Sequence, residues 1–194
     1  MNWNHGTLEV ISGPMKSAKT LELIFRLKKL DYSSVHYQLF KPEIDNRFSE
    51  SEIVSRDGHK LASTIIPGDK PKEILFRLKP NTDVVAIDEG NFFSVELVDV
   101  VKILLKDGKT VIVSGLDLDF KGEPFGPMPF LLSMADIVTK KHAYCDYPGC
   151  GKIANRTQRI VDGKPAKYDD PLVIVGGNEL YEARCMKHHQ VPKD

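Results

Sequence analysis

The sequence predicts an α/β fold, in which a parallel sheet is flanked by helices and followed by a small module without a large core of its own. β-like and helix-like segments alternate through the first two thirds of the 194 residues, and strands joined by helices form parallel sheets with right-handed crossovers. Residues 84–87 are a continuous apolar run, as expected of a strand buried on both faces. Beyond Lys140, helical periodicity weakens while cysteines and Gly/Pro/Asp turns become frequent. We therefore divide the chain into residues 1–139 and 140–194.

The first half of the predicted sheet contains three β-like segments. Residues 7–12 form the first strand, and a helix over 20–30 follows it, with leucines and one isoleucine at helical spacing. Residues 34–40 and 52–55 are predicted as further strands, and the latter stops at an Asp-Gly turn.

The second half is predicted to contain two helices and two buried strands. Asp69 is expected to cap a helix over 71–79, because its carboxylate can accept a hydrogen bond from the first turn. Ser94 is expected to cap another helix, which ends at Gly108. The strands are 84–88 and 110–115.

Composition limits the classes of partner. Lys+Arg and Asp+Glu both number 27, so no overall charge attracts nucleic acid or an anionic membrane. No apolar run approaches the roughly 20 residues that a bilayer requires, and the first residues lack the basic and apolar regions of a signal peptide. Three cysteines, an odd number, argue against a disulfide framework. We expect a cytoplasmic protein.

A phosphate-binding loop is predicted between the first strand and the first helix. The segment fits G-x-x-x-x-G-K-[ST] except at its second glycine, and consists of Gly13, Pro14, Met15, Lys16, Ser17, Ala18, Lys19 and Thr20. In such a loop, backbone amides point at the β-phosphate, the lysine neutralises phosphate oxygens and the hydroxyl holds Mg²⁺. The alternative is an accidental turn. Alanine at position 18 is harmless at negative φ, but its Cβ could otherwise crowd the phosphate.

An acidic pair follows the buried strand 84–88. We expect Asp88, at the C-terminal end of a strand neighbouring the phosphate loop, to help hold Mg²⁺. Glu89 is then available as a general base for an attacking hydroxyl. The alternative is a solvated strand end, where Asp-Glu pairs are common.

Two close pairs of metal-binding residues use every cysteine of the chain. Cys145 and Cys150 form the first pair, and Cys185 and His188 the second, which is the pattern of a structural Cys₃His zinc site. His189 is a substitute for His188 as the fourth ligand. The alternatives are free buried cysteines or a thiol redox pair.

Taken in order, these and other segments resemble the type II thymidine kinases, from residue 6 to about residue 192. The matching segments are 13–20, 88–93, 115–117, 120–126, 156–159, 175–177 and 181–185. The resemblance implies transfer of the γ-phosphate of ATP to the 5′-hydroxyl of thymidine, with Mg²⁺. It also implies a homotetramer that is inhibited by dTTP at the substrate site.

The resemblance assigns roles to individual residues. Glu89 falls on the position of the catalytic base, and Asp88 on the position that serves the metal through water. Asp45 and Arg47 match a loop near the phosphates. A loop called the lasso, here roughly 154–181, is expected to close over the nucleoside. The implied thymidine-binding positions are Met15, Phe92, Leu116, Phe120, Phe125, Thr157, Val173, Val175, Gly176 and Tyr181. Periodicity alone favours the core for these phenylalanines, and only the resemblance assigns Phe92, Phe120 and Phe125 to the pocket; Phe93 is assigned to the core.

Four departures from the family pattern stand out. Ala18 replaces a glycine, Lys16 replaces a common aromatic residue, Asn91 replaces a glutamine, and four residues rather than two separate Cys145 from Cys150. The first two leave open a weakened enzyme, or an ATPase or kinase for another nucleoside. A different class of function, a non-catalytic module that binds nucleic acid or protein through the zinc knuckle, is disfavoured because no run of basic and aromatic residues accompanies the knuckle.

Overall fold

The computed structural model describes residues 6–43, 52–54, 60–172 and 179–193. The strands are β1 (Leu8–Ser12), β2 (Tyr37–Pro42), β3 (Glu52–Val54), β4 (Lys60–Ala62), β5 (Thr64–Ile66), β6 (Val84–Ile87), β7 (Thr110–Gly115), β8 (Ile137–Lys140), β9 (Ala143–Tyr144), β10 (Ile153–Ala154), β11 (Arg156–Val161), β12 (Lys164–Pro165) and β13 (Glu179–Arg184). The α-helices are α1 (Lys19–Leu30), α2 (Glu73–Arg77), α3 (Leu97–Lys106) and α4 (Met128–Met134).

A six-stranded sheet forms the centre of the molecule, and its strand order is β5-β2-β6-β7-β1-β8. All five pairings are parallel. The predicted α/β class is therefore confirmed. Because every strand of a parallel sheet ends at the same edge, the residues that follow β1, β6 and β7 meet at one side of the molecule.

Helices cover both faces of this sheet. On one face, α1 packs through Leu23, Ile24 and Leu27 against a cluster that includes Ile112 of β7. On the other, α3 packs against a second cluster that includes Val111 and Val113 of the same strand. All six residues of β7 are buried, which explains its nearly continuous apolar sequence.

The predicted caps of α2 and α3 are wrong. Neither Asp69 nor Ser94 is the residue that precedes its helix, and among the described residues neither helix has a side-chain cap hydrogen bond. Backbone turns lead into both helices, since Ile74 N–H donates to the Pro71 carbonyl and Leu97 N–H to the Ser94 carbonyl. Backbone carbonyls of the preceding turn therefore accept hydrogen bonds from the first amides of each helix, in place of side-chain oxygens.

The sequence patterns do not predict four elements that lie before residue 141, namely β4, β5, α4 and β8, nor the short strands β9 to β13 that follow. β8 is an edge strand of four residues in which half-buried and exposed side chains alternate. It ends at Lys140, where the sequence changes character, although the division into two domains stays a prediction.

The described residues after Lys140 contain small antiparallel sheets and no helix. β9 pairs with β10, and β11 lies between β12 and β13. The pairing of β11 with β13 runs from Arg156 opposite Arg184 to Val161 opposite Glu179. This register brings the start of β11 close to the second pair of metal-binding residues. Across the described chain, no helix combines the length and apolar character needed to cross a membrane.

Candidate active site and metal centre

The segment 13–20 forms a tight loop between β1 and α1. Its inner hydrogen bonds converge on one carbonyl, because Ser17 Oγ donates to Pro14 O at 2.7 Å and Lys19 Nζ donates to the same atom at 2.8 Å. Gly13 is required at the start of the loop, since a Cβ there would lie 2.3 Å from the Lys141 carbonyl oxygen. Lys19 is 8% exposed, so the loop holds a nearly buried ammonium group.

Two non-glycine residues of this loop have left-handed backbone conformations. Lys16 has φ 63° and Ala18 has φ 60°. The condition under which alanine at position 18 would be harmless, a negative φ, is therefore not met. An L-residue in this conformation costs roughly 1–2 kcal/mol relative to the right-handed region, and glycine largely avoids that cost.

Replacing Ala18 by glycine is therefore expected to raise the free energy of unfolding by about 1 kcal/mol. The urea midpoint of unfolding, with an unchanged slope, would report the gain. Ala135→Gly is the matched control, because Ala135 has φ −67° and packs against the core, so that substitution should destabilise the protein. A neutral or destabilising Ala18→Gly would show that the left-handed conformation carries no such cost.

The acidic pair lies at the C-terminal end of β6. Thr20 Oγ1 of α1 donates to Asp88 Oδ2 at 3.1 Å, which joins the phosphate loop to the acidic strand end. One detail of the expectation is wrong: β6 is not the immediate neighbour of β1, because β7 lies between them. Thr20 spans that gap from the first turn of the helix.

Burial perturbs both carboxylates. Desolvation raises the pKa of Asp88 above its ordinary value, although a hydrogen bond from Thr20 and the charge of Lys19 oppose the shift. Desolvation and then the negative charge of Asp88 raise the pKa of Glu89 from 4.5 to about 7, against the charge of Lys19. A carboxylate with a pKa near neutrality suits general-base catalysis, because it can both accept and release a proton there.

Aromatic side chains line the chain beyond this strand end. The rings of Phe92 and Phe125 meet edge to face with centroids 5.4 Å apart, and both are half-buried. Phe120 is 4% exposed, and the guanidinium of Arg159 lies 3.9 Å from its ring centroid. Phe93 is buried in the core, as predicted.

Asn91 joins the ends of β6 and β7. Its Oδ1 accepts a hydrogen bond from Leu116 N–H at 2.8 Å, and Gly126 packs so closely on its backbone that a Cβ there would lie 2.4 Å from the Asn91 carbonyl oxygen. Asn91 Nδ2 is buried and has no hydrogen-bond partner among the described residues. The position that departs from the family pattern therefore fixes the backbone of Leu116.

Two predicted thymidine-binding residues of the lasso lie within the described ranges, Thr157 on β11 and Tyr181 on β13. Thr157 Oγ1 accepts a hydrogen bond from Met15 N–H at 3.1 Å, across 142 residues of sequence. Tyr181 stands opposite Arg159 in the pairing of these strands. Five predicted positions lie outside the described residues: Asp45, Arg47, Val173, Val175 and Gly176.

The four predicted metal ligands converge. All their ligand atoms lie within 4.8 Å of one another. The Sγ atoms of Cys145 and Cys185 are each 3.6 Å from His188 Nδ1, and Cys150 Sγ is 3.8 Å from Cys185 Sγ. A tetrahedral zinc with the usual bond lengths separates two sulfurs by about 3.8 Å and a sulfur from a nitrogen by about 3.5 Å. The cluster therefore fits zinc, whereas sulfurs at this distance are not a disulfide.

His189 does not take the place of His188. Its Nε2 lies 2.8 Å from the Phe120 carbonyl oxygen, so it connects the residue after a metal ligand to the aromatic segment. No local sequence pattern indicates this contact, because the two residues are 69 positions apart.

A family model for thymidine kinase matches residues 6–189. The chain belongs to the thymidine kinase family. It is therefore an ATP-dependent nucleoside kinase, and kinases of this family use Mg²⁺ with ATP. Family membership agrees with the phosphate loop, the acidic strand end and the Cys₃His cluster, which the fold gathers on one side of the sheet.

Sequence reasoning missed several residues that this thymidine kinase family member places around the site. Asp117 is 6% exposed and its Oδ2 lies 2.5 Å from Lys140 Nζ, which ties the segment after β7 to the end of β8. Arg159 is completely buried under the ring of Phe120. Asp146, next to Cys145, contacts the phosphate loop through Lys16. An acidic residue beside a candidate metal ligand and an arginine in a short strand carry no local pattern that indicates such roles.

Proposed function

We propose that this protein is a thymidine kinase, which transfers the γ-phosphate of ATP to the 5′-hydroxyl of thymidine, and of deoxyuridine, to give the 5′-monophosphate. The observation that carries the proposal is the placement of Glu89. Its carboxylate has a pKa of about 7 and follows Asp88, which is hydrogen-bonded to Thr20 at the end of the phosphate loop. A base, a metal-binding carboxylate and a phosphate loop are thus contiguous.

The nucleotide is held by the loop 13–20 in this proposal. The backbone amides of this loop contact the phosphates of the nucleotide, and the positive charge of Lys19 balances the negative charge of the phosphates. Thr20 Oγ1 and Asp88 would hold Mg²⁺, the latter through water, since hydroxyl and carboxylate oxygens suit this ion. The bound ion would neutralise charge that develops on the transferring phosphoryl group. Asp45 and Arg47 are assigned to the same phosphates by family resemblance.

Glu89 acts as the general base. It accepts the proton of the thymidine 5′-hydroxyl while the oxygen forms a bond to the γ-phosphorus. The bond between that phosphorus and the β–γ bridging oxygen breaks in line, so that ADP leaves. The positioning of the two substrates supplies most of the remaining acceleration, because phosphoryl transfer needs little other chemistry from the protein.

Thymidine is assigned to the aromatic segment. Phe92 and Phe125 already contact each other edge to face, and Phe120 is held against Arg159. These rings would cover the faces of the base, which favours a planar ligand. The other proposed contacts are Met15, Leu116, Thr157, Val173, Val175, Gly176 and Tyr181, with backbone atoms around 173–176 reading the edge of thymine.

A second candidate function is a kinase of the same fold with weakened activity or another nucleoside specificity. The left-handed conformation of Ala18 favours it, because this alanine stands where the family nearly always has glycine. By family resemblance we also propose a cytoplasmic homotetramer with dTTP as a feedback inhibitor at the thymidine site.

Turnover by the purified, zinc-loaded protein with ATP and Mg²⁺ tests the proposal. Thymidine and deoxyuridine should be phosphorylated, whereas deoxycytidine, deoxyadenosine and deoxyguanosine should not, because a site built for the thymine edge leaves polar groups unpaired with other bases. ATP hydrolysis without nucleoside is the control. Equal turnover of several nucleosides, or hydrolysis alone, would contradict thymidine specificity and support the second candidate.

A further inference from the structure

Two consecutive residues of the phosphate loop are bound by the module that carries the metal cluster. Met15 N–H donates to Thr157 Oγ1 of β11, at 3.1 Å. Lys16 Nζ forms an ion pair with Asp146, and the two atoms are 2.6 Å apart. Both side chains of this pair are 31% exposed, so water only partly screens the contact. The loop and the module are therefore joined by a backbone contact and a charged contact, side by side.

Asp146 is itself fixed between the two pairs of metal ligands. It follows Cys145 directly, and its N–H donates to the Ala183 carbonyl at 2.8 Å. Its Oδ2 accepts the Ala183 N–H at 2.7 Å, and Cys185 lies two residues further along that segment. The carboxylate that holds Lys16 thus occupies a position that depends on both halves of the cluster.

The loop needs such support. Lys16 adopts φ 63° and Ala18 adopts φ 60°, conformations that non-glycine residues keep only where the surroundings impose them. Met15 and Lys16, which contact the module, lie three and two residues before Ala18. No other ion pair is formed by Lys16 among the described residues.

We propose that Lys16 and Asp146 are a positioning pair, through which the metal-bound module holds the phosphate loop in the shape that binds nucleotide. The inference rests on the proposed assignment of residues 13–20 as the nucleotide site. Lys16 acts here through the backbone of the loop, and its ammonium group is committed to Asp146 rather than to the phosphates. Nucleotide affinity is therefore coupled to occupancy of the metal cluster.

A double-mutant cycle tests the pair. Lys16→Met removes the charge, and Asp146→Asn removes the other charge while its side-chain oxygen can still accept the Ala183 N–H. The affinity of each zinc-loaded variant for ATP with Mg²⁺ is measured by calorimetry. Each single substitution should weaken ATP binding by roughly three- to tenfold, the range for a partly exposed pair that imposes order. The double variant should bind no more weakly than either single variant, and Lys16→Arg should restore most of the affinity.

The control is an ion pair far from the loop. Lys102 and Asp99 are 3.3 Å apart on the exposed face of α3, and the variants Lys102→Met and Asp99→Asn should leave ATP affinity unchanged. If Lys16 instead contacted the nucleotide directly, Lys16→Met would weaken binding while Asp146→Asn would not. That result, or additive effects of the two substitutions, would overturn the inference. Absence of ATP binding by the unmodified protein would instead refute the nucleotide site itself.

Metal content supplies the second readout. Zinc bound per chain should stay the same in Lys16→Met and Asp146→Asn, because neither residue is a ligand. Removal of zinc from the unmodified protein by a chelator should lower ATP affinity at least as much as Lys16→Met does. Unchanged ATP affinity in metal-free protein that retains its folded sheet would contradict the coupling.

Discussion

Replacing Glu89 by glutamine should lower kcat by about 10²- to 10⁴-fold, the usual contribution of a positioned general base. ATP affinity should change little, because the phosphate loop and the pair formed by Thr20 and Asp88 are untouched. Steady-state phosphorylation of thymidine measures the first quantity, and calorimetry with ATP the second. Unaltered turnover would eliminate Glu89 as the base. Glu96→Gln, on the surface beside Lys72, is the control and should be fully active.

The same substitution should stabilise the fold, and the gain should depend on pH. The pKa of Glu89 is about 7 in the folded protein, above the ordinary value of 4.5. The folded state therefore holds this proton more tightly than the unfolded chain does. The stability associated with the protonated group is complete below about pH 4.5 and is lost as the pH rises through about 7.

Glutamine has no charge to bury. As the pH rises from about 4.5 through about 7, the free energy of unfolding of Glu89→Gln should therefore increase relative to that of the unmodified protein, by up to about 3 kcal/mol at the alkaline end. Urea unfolding of both proteins between about pH 5 and pH 8 would show the difference. A constant difference in stability across this range would mean that burial does not raise the pKa of Glu89. Loss of activity together with a gain in stability is the pattern expected where a catalytic group is held at a cost to the fold.

The parts of the fold that could be predicted are segments in which consecutive residues are buried to the same extent. β7 is buried throughout, so its apolar run indicates a strand without further information. β8 has four residues at the edge of the sheet with alternating exposure, and such a short pattern does not stand out from a loop. On α1, Leu23 is buried and Leu21 only partly so, because the helix turns a slightly different face to the sheet than leucine spacing suggests.

The order of the strands in the sheet could not be predicted from local sequence. The sequence predicts Asp88 on a strand beside β1, the strand that leads into the phosphate loop, but β7 separates β6 from β1. Local sequence specifies which segments are strands, whereas their order depends on how crossovers pack, which no single segment encodes. The two side chains proposed to hold Mg²⁺ are nevertheless in contact, because the Thr20 hydroxyl donates a hydrogen bond to Asp88.

The candidate site divides in the same way. The loop 13–20 and the four metal ligands follow from spacing alone, since their chemistry requires residues close in sequence. The contacts that hold this loop and these ligands in place cannot be predicted from spacing. Lys16 meets Asp146 over 130 positions, and Met15 meets Thr157 over 142. The left-handed conformation of Ala18 likewise could not be predicted, because the sequence specifies the alanine but not its backbone angles.

Loss of one metal ligand is the other change with a large expected effect. Cys185→Ser should abolish zinc binding, because serine is a poor zinc ligand and three remaining donors do not close a tetrahedral site. Metal binding in small modules supplies on the order of 10 kcal/mol of folding free energy. The buried apolar cluster here consists of Cys145, Ala154, Ala183 and Cys185, with Ala143 and Cys150 packed beside it. Small side chains of this kind cannot replace that free energy.

The consequence should extend beyond the module, since its residues contact both ends of the proposed active site. Thr157 and Asp146 hold the phosphate loop, and His189 lies 2.8 Å from the Phe120 carbonyl oxygen in the aromatic segment. Cys185→Ser should therefore lose zinc, become sensitive to proteolysis after residue 140, and lose thymidine affinity together. The central sheet should persist, because its two core clusters involve no described residue of the module. Met186→Ser, at an exposed neighbouring position, should change none of these properties. Retention of zinc and thymidine affinity by Cys185→Ser would refute the metal centre, whereas loss of zinc with intact thymidine affinity would show that the module does not support the nucleoside site.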